Sequence, residues 1–537
     1  MQTSVEQLDR AQGQLPTEEV ALSAPPPPSH GSGPGHRLLA LLRRPFEVDI
    51  RALALMRMAV AAVILLDLGI RSTDLEAHYT NLGVLPLHVL FERAWNPYEF
   101  SIHNMSGLWQ VQALLFLAAA GFAVGLLLGW RTKLMTVLSW VMLVSLQNRN
   151  PMIAQGGDDL LRMLLFWGIF LPWGRMWSKD AESQPAPDDY THFSAATVAY
   201  VVQIALVYIC TAFLKSAPEW TTEGTAIYYA LSLDQVLMPG GRLLYPHYEL
   251  MRWLTHLTYY TELLLPILLF IPVGTAFFRT LFVVVLFGFH AGISLTLFVG
   301  LFFIINFASL MGLLPKPVLN WLECKLGPAT QRCSGYLGSL RQRLPAWQLP
   351  LQVQLQATWQ PRARKPRLEI LPMLGETVLY VLVGYTIWWN LDGIIAPKYT
   401  MSEPLRWFGY QFRTDQHWGM FAPAVFKDDG WYILEGQATN GRTYDLYRNG
   451  RPVNYEKPYS VMALHKNDRW RKYSENYLFV DNSWMRPYYC NYMLRIWHLN
   501  PRNPQLKRLD VVYMKEVSLP NYKVSEPKRE VLCSCEY

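Results

Sequence analysis

Hydrophobic positions in this chain of 537 residues gather into long runs with few charges. Apolar stretches lie near 52–70, 108–130, 134–148, 160–174, 194–214, 253–273, 280–299, 301–315 and 370–391. A straight helix needs about 20 apolar residues to cross a bilayer core. Residues 280–315 hold 36 positions without Asp, Glu, Lys or Arg. One helix rising about 1.5 Å per residue overshoots a core of about 30 Å at that length, so the run divides near Gly300. The pattern predicts a polytopic α-helical membrane protein of about nine spans, eight of them within 37–315 and the ninth at 369–393.

The ends of the chain differ from its middle. Residues 1–36 are polar and rich in Pro and Gly, the composition of a disordered tail, and the first 20 residues lack the apolar core of a signal peptide. After 394 the pattern becomes that of a small α+β domain reaching 537. Residues 430–435 and 442–447 flank Asn440-Gly441, a hairpin signal. A helix is predicted around 483–498 and a strand over 509–515. Three cysteines, Cys490, Cys533 and Cys535, fall in this domain. A disulfide among them suits an oxidising compartment, and the favoured reading of Cys533-Ser-Cys535 is a loose terminal pair. Their spacing is not that of a zinc site.

Charge orients the spans. Arg37, Arg43, Arg44 and Arg51 precede the first; Arg131 and Lys133 sit in the second turn; Arg175, Lys179 and Arg279 follow on the same side. Residues 315–367 add nine Lys/Arg against one Glu. Positive charge marks the cytoplasmic face, so the N-terminus reads as cytoplasmic and the 394–537 domain as exocytoplasmic. The basic loop at 316–368 is either an amphipathic segment on the cytoplasmic leaflet or a disordered linker. The net charge of +7 has no basic stripe on a soluble fold, which argues against nucleic acid as a partner. The bilayer is the implied partner.

Within this frame a few polar groups stand where lipid disfavours them. Phe193–Leu214 carries no charge and ends at Lys215, with Glu219 and Trp220 close behind. Asp67 and Arg71 end the first span, and Asn148, Arg149 and Asn150 end the third. Asp158, Asp159 and Arg162 open the next segment, and His290 lies about 15 Å along the seventh span at helical rise. These groups are candidates to line one cavity open to the exocytoplasmic face. A desolvated lysine loses its proton more easily and then serves as a base. The competing role for Lys215 is a snorkelling cation paired with Glu219. His290 is either a proton partner or a packed, hydrogen-bonded ring. Arg57 and Asp67, about 15 Å apart along one helix, need separate partners. Arg149 with Asp158 or Asp159 reads as an ion pair that organises a loop.

Taken together, these residues resemble the HTTM (horizontally transferred transmembrane) domain family, which includes the vitamin K-dependent gamma-carboxylase. The likeness covers about 45–315. It rests on Arg57 and Asp67 at their spacing, the Gln147-Asn-Arg-Asn150 turn and the Leu171–Asp180 segment, which begins Leu-Pro-Trp-Gly-Arg. It also rests on Ala212-Phe-Leu-Lys215 with Trp220 five residues on, and on Phe289-His290. The resemblance implies that Lys215 is the base that deprotonates a quinol of the vitamin K type, with His290 beside it. In the carboxylase, oxygenation then yields a strong base that removes a glutamyl γ-proton, and CO2 adds. The chain departs from the carboxylase in having Arg149 where that enzyme has a histidine and Ile293 where it has an asparagine. The Gln416–Pro423 segment looks like that of bacterial members of unassigned function. Two classes of function therefore follow: a carboxylase-like membrane enzyme using a quinol cosubstrate, or a non-catalytic maturation or export factor for a secreted peptide or protein. A transporter ranks third, without an inverted repeat to support it.

Overall fold

The computed structural model describes residues 34–325, 370–395 and 400–537. Most of the expected disordered tail, and the basic loop from 326 to 369, lie outside the described residues. A helix, α1 (Pro34–Arg43), begins three residues inside the segment read as disordered. It belongs to a first compact unit, residues 1–44, and everything below concerns the second, residues 45–537.

Among the described residues four helices are long and apolar enough to cross a membrane: α2 (Ile50–Ser72), α3 (Trp109–Leu128), α6 (Ala195–Leu214) and α8 (Thr275–Thr296). A fifth crossing would come from α9 (Phe302–Met311) joined to the helix Lys316–Lys325, but the two are bent by 102°. The other expected spans take different forms. The third is α4 (Thr132–Arg149) and the fourth is only the 13-residue α5 (Gly156–Gly168). The sixth is α7 (Tyr248–Leu264), whose α-geometry gives way to a 3₁₀ turn, Leu265–Phe270, at Pro266. Proline has no N–H to donate to the preceding turn, so an α-helix breaks there. The ninth is the 26-residue α10 (Ile370–Ile395).

Helix ends follow local chemistry. Asp49 caps α2, accepting the Arg51 N–H at 2.9 Å. A two-strand ribbon, β1 (Val48–Asp49) with β2 (Thr191–His192), holds that start against the entry to α6. Helix α3 ends at Gly129, whose φ of +66° is the left-handed cap that favours glycine. A side chain there would also strike the Arg57 guanidinium. Arg57 instead caps α3, donating to the carbonyls of Leu126 (2.7 Å), Leu127 (3.1 Å) and Trp177 (2.6 Å). Buried but paired with orphan carbonyls, it needs no carboxylate.

The C-terminal region folds as the α+β unit expected. Four antiparallel strands run in the order β4-β3-β5-β6, with β3 Asp428–Ala438, β4 Thr443–Asp445, β5 Leu506–Val517 and β6 Lys528–Glu536. The Asn440-Gly441 turn joins β3 to β4, with Gln437 opposite Thr443. Helices α11 (Asp468–Leu478) and α12 (Arg486–His498) complete the unit. The loose terminal pair is a misreading. Residues 528–536 are the sheet's edge strand, and Cys535 is disulfide-bonded to Cys490 of α12, leaving Cys533 free. A strand with Lys528, Arg529 and Glu530 looks like a solvated tail, but charge on an edge strand discourages pairing with other chains. One continuous apolar cluster runs from the long helices into the sheet.

Candidate functional site

Helix α6 starts with a reciprocal cap between Ser194 and Thr197 and stops at Lys215. The chain then turns at Pro218 into the short helix Pro218–Thr221, which carries Trp220. That turn places the Lys215 Nζ 4.9 Å from the Trp220 ring centre, within cation–π range. The partner of Lys215 is Glu262 of α7: Nζ to Oε2 is 2.5 Å, and both side chains are buried. Glu219, the partner expected for a snorkelling lysine, pairs with Lys427 at 2.9 Å instead. Glu262 was missed although the signal was visible, since it is an acid inside the stretch read as the sixth span. A carboxylate there needs a counter-charge from another helix.

The Gln416–Pro423 segment supports this turn. The Trp220 Nε1 donates to the Phe421 carbonyl at 2.9 Å, and the Ala217 N–H reaches Pro423. Its other end is fixed by Gln203 Nε2 to Gln416 Oε1 (2.7 Å) and by Trp418 Nε1 to Asn390 of α10 (2.9 Å). The segment therefore stitches α6 and α10 to the turn that holds Lys215.

His290 faces the protein interior. Its Nε2 lies 3.0 Å from the Tyr208 hydroxyl, which in turn donates to Asn306 at 3.2 Å. Phe289 and Phe302 meet its ring edge-on, and Nδ1 is buried without a hydrogen-bond partner among the described residues. Tyr208 stands seven residues before Lys215, about 10 Å along the helix, and none of these contacts joins His290 to Lys215.

The remaining candidates gather elsewhere. Asp67, Arg71 and Asp158 form a closed quartet with Arg469 of α11. Arg71 Nε binds Asp67 at 2.7 Å and its Nη2 binds Asp158 at 2.9 Å. Arg469 reaches Asp67 at 2.7 Å and Asp158 at 2.5 Å. The Tyr79 hydroxyl accepts from Arg71 at 2.8 Å, and Ile153 O accepts from Arg469 at 3.0 Å. Asn467 aims Arg469, because its side chain caps α11 through the N–H groups of Arg469 and Trp470. Two carboxylates face two guanidiniums, so the quartet is neutral and its hydrogen bonds are saturated. A cavity of about 10 Å³ beside Asp67, lined also by Ile64, Leu68, Ser139 and Leu146, holds no more than about one water.

Arg149 does not pair with either aspartate. It donates to the carbonyls of Leu85 (3.0 Å) and Thr80 (3.4 Å), because Asp158 is already saturated and Asp159 pairs with Arg162 at 3.1 Å. Asn148 donates to Phe100 O at 2.8 Å. The expected single cavity is thus three separate clusters, around Lys215, around His290 and around Asp67.

Several groups outside the long helices titrate abnormally. Burial pushes His78 down to about 3 and His103 and His465 down to about 4, so all three rings are neutral near pH 7. Burial raises the Asp429 carboxyl to about 7. Asp429 belongs to a second acidic group, with Asp234 and Glu516, that strand register creates and no local motif announces.

Comparison with known proteins leaves the chain unplaced: no family model, curated protein or solved structure matches it.

Proposed function

We propose that this chain is an integral membrane protein of the HTTM type in which Lys215 is a general base toward a lipid-soluble weak acid, such as a quinol. Its N-terminus is cytoplasmic and its 394–537 domain exocytoplasmic, as the Lys/Arg distribution directs. The observation that carries the reading is the buried Lys215–Glu262 pair beneath Trp220. With the pair's shared proton on Glu262, the neutral Lys215 amine takes the hydroxyl proton of the substrate, and the quinolate so formed sits beside the new ammonium. The aromatic face of Trp220 beside the pair suits an apolar ring such as that of a quinol. His290, hydrogen-bonded to Tyr208, which in turn donates to Asn306, orders the helix interface behind the site and takes no part in the proton step.

The second reading is a maturation factor that holds a secreted client. It draws on exposed Phe426, Phe479 and Val480 in the C-terminal domain, where the two phenylalanine rings lie 6.1 Å apart. A patch of that kind on a soluble surface invites a partner.

Membranes carrying the wild-type chain and assayed with reduced quinones should consume the quinol. Lys215→Ala and Lys215→Arg should both lose at least about a hundredfold in rate, because a guanidinium stays protonated. Full activity in the Arg variant overturns the base and leaves a lysine that only needs its charge. Absence of quinol turnover in wild type moves the weight to the maturation factor.

A further inference from the structure

Strands β3 and β5 bring two acids face to face. Asp429 and Glu516 are directly opposite in the antiparallel register, and like charges so placed destabilise a strand pair. A third acid arrives from outside the sheet. Asp234 follows the helix Ala226–Ser232, and its N–H donates to Asp429 Oδ2 at 2.8 Å. One carboxylate oxygen from each of the three lies within 4.8 Å of the other two.

Lys457 partly answers this charge. Its Nζ meets Asp234 at 2.5 Å and also contacts Glu516. It makes no hydrogen bond to Asp429, whose Oδ1 is buried without a partner among the described residues. Asp429 itself is 0% exposed. A buried acceptor without a donor is destabilising, the more so when charged, unless something comes to it. With all three carboxylates ionised, one ammonium leaves a deficit of two positive charges.

We propose that Asp234, Asp429 and Glu516 bind a hard divalent cation, calcium in preference to magnesium, with Lys457 as the displaceable counter-ion. The donors are all oxygen, without histidine or cysteine, which selects calcium or magnesium over the softer metals. Three protein carboxylates, one of them fully buried, favour calcium, since magnesium dehydrates reluctantly and is usually held by one or two carboxylates and several waters. Access is open from one side, since the Lys457 and Asp234 side chains are 34% and 23% exposed. The cation would fasten the 233–238 loop to the sheet. This site is independent of Lys215 and of any quinol chemistry.

The test uses the full chain in detergent, stripped with chelator and then titrated with calcium or with magnesium. Thermal unfolding and calorimetry give the readout. Calcium should raise Tm and bind at least tenfold more tightly than magnesium. Asp429→Asn should weaken calcium binding at least tenfold. Lys457→Met keeps all three carboxylates, so it serves even if the Asn variant does not fold. It should bind calcium more tightly than wild type, because the competing ammonium is gone. No calcium response in either wild type or Lys457→Met overturns the site. So does an undiminished response in Asp429→Asn, which would place the calcium elsewhere. An equal response to magnesium overturns the preference for calcium.

Discussion

Two buried ionic clusters in this molecule differ in how completely their charges are answered. In the Asp67–Arg71–Asp158–Arg469 quartet each carboxylate receives both guanidiniums, and tyrosine and backbone oxygens take further donors. At the Lys215–Glu262 pair the described contact is a single 2.5 Å bond, with an indole face beside it. Burial alone does not distinguish a brace from a site. The quartet spends its charges on joining helix α11 to α2 and α5, and no proton in it is free to move. In the proposed reading the pair has one proton that either partner can hold, which is what proton transfer requires.

The largest expected effect breaks the quartet. Arg469→Ala leaves two buried carboxylates sharing Arg71 and should cost about 3–5 kcal/mol. Arg469→Lys should recover only part of that, since one ammonium cannot reproduce a guanidinium fork. The measurement is Tm in detergent, together with protease access to residues 400–537. A wild-type Tm for the alanine variant would erase the contrast drawn above.

Next comes the pair itself. Lys215→Met and Glu262→Gln should each destabilise, and the double variant should recover much of the loss, giving a coupling of about 2–3 kcal/mol in a thermodynamic cycle. Additive losses would mean that the two side chains do not act as a unit. The single Lys215 variants in an activity assay therefore need the double variant as a folding control.

The smallest effect sharpens the comparison through pH. The His78 ring lies 4.4 Å from that of Trp470 on α11, tilted by 48°, and both its ring nitrogens are buried without partners among the described residues. Its folded value of about 3 lies below the unfolded 6.5, so the folded form holds fewer protons. Stability is fully present above pH 6.5 and is lost as pH falls from there toward 3, by about 1 kcal/mol between pH 6.5 and 5.5. His78→Phe should lower the measured slope by about a third, because His103 and His465 titrate in the same sense, without loss at pH 7.5. An unchanged slope would assign the acid sensitivity to His103 and His465.

The sequence foretold some of these features and concealed others for identifiable reasons. Asn440-Gly441 between apolar runs announced the β3–β4 hairpin because the turn is a local property. Long apolar runs announced α2, α3, α6 and α8. Glu262 was visible as an acid within a span, yet its partner was not, because the pairing depends on how α6 and α7 pack. Arg469 was hidden more deeply. It sits in a helix of mostly polar residues, where an arginine ordinarily reads as solvated, and only docking buries it. Asp429 and Glu516 meet through register across 87 residues, a relation that no spacing rule reveals. Cys533-Ser-Cys535 read as a loose terminal pair because the strand that holds it pairs with β5 and Cys535 bonds Cys490, relations set by the fold and not by local spacing.

The quartet also imposes an order of events in time. Arg469 contacts Asp67 across 402 positions of sequence and Asp158 across 311. At synthesis rates of roughly 5–20 residues per second, Asp67 waits about 20–80 s for that guanidinium. Until then Asp67 and Asp158 share Arg71, with one negative charge unanswered. The helical part of a chain halted before Arg469 thus carries a built-in mark of incompleteness, a buried negative charge that only the last part of the sequence answers.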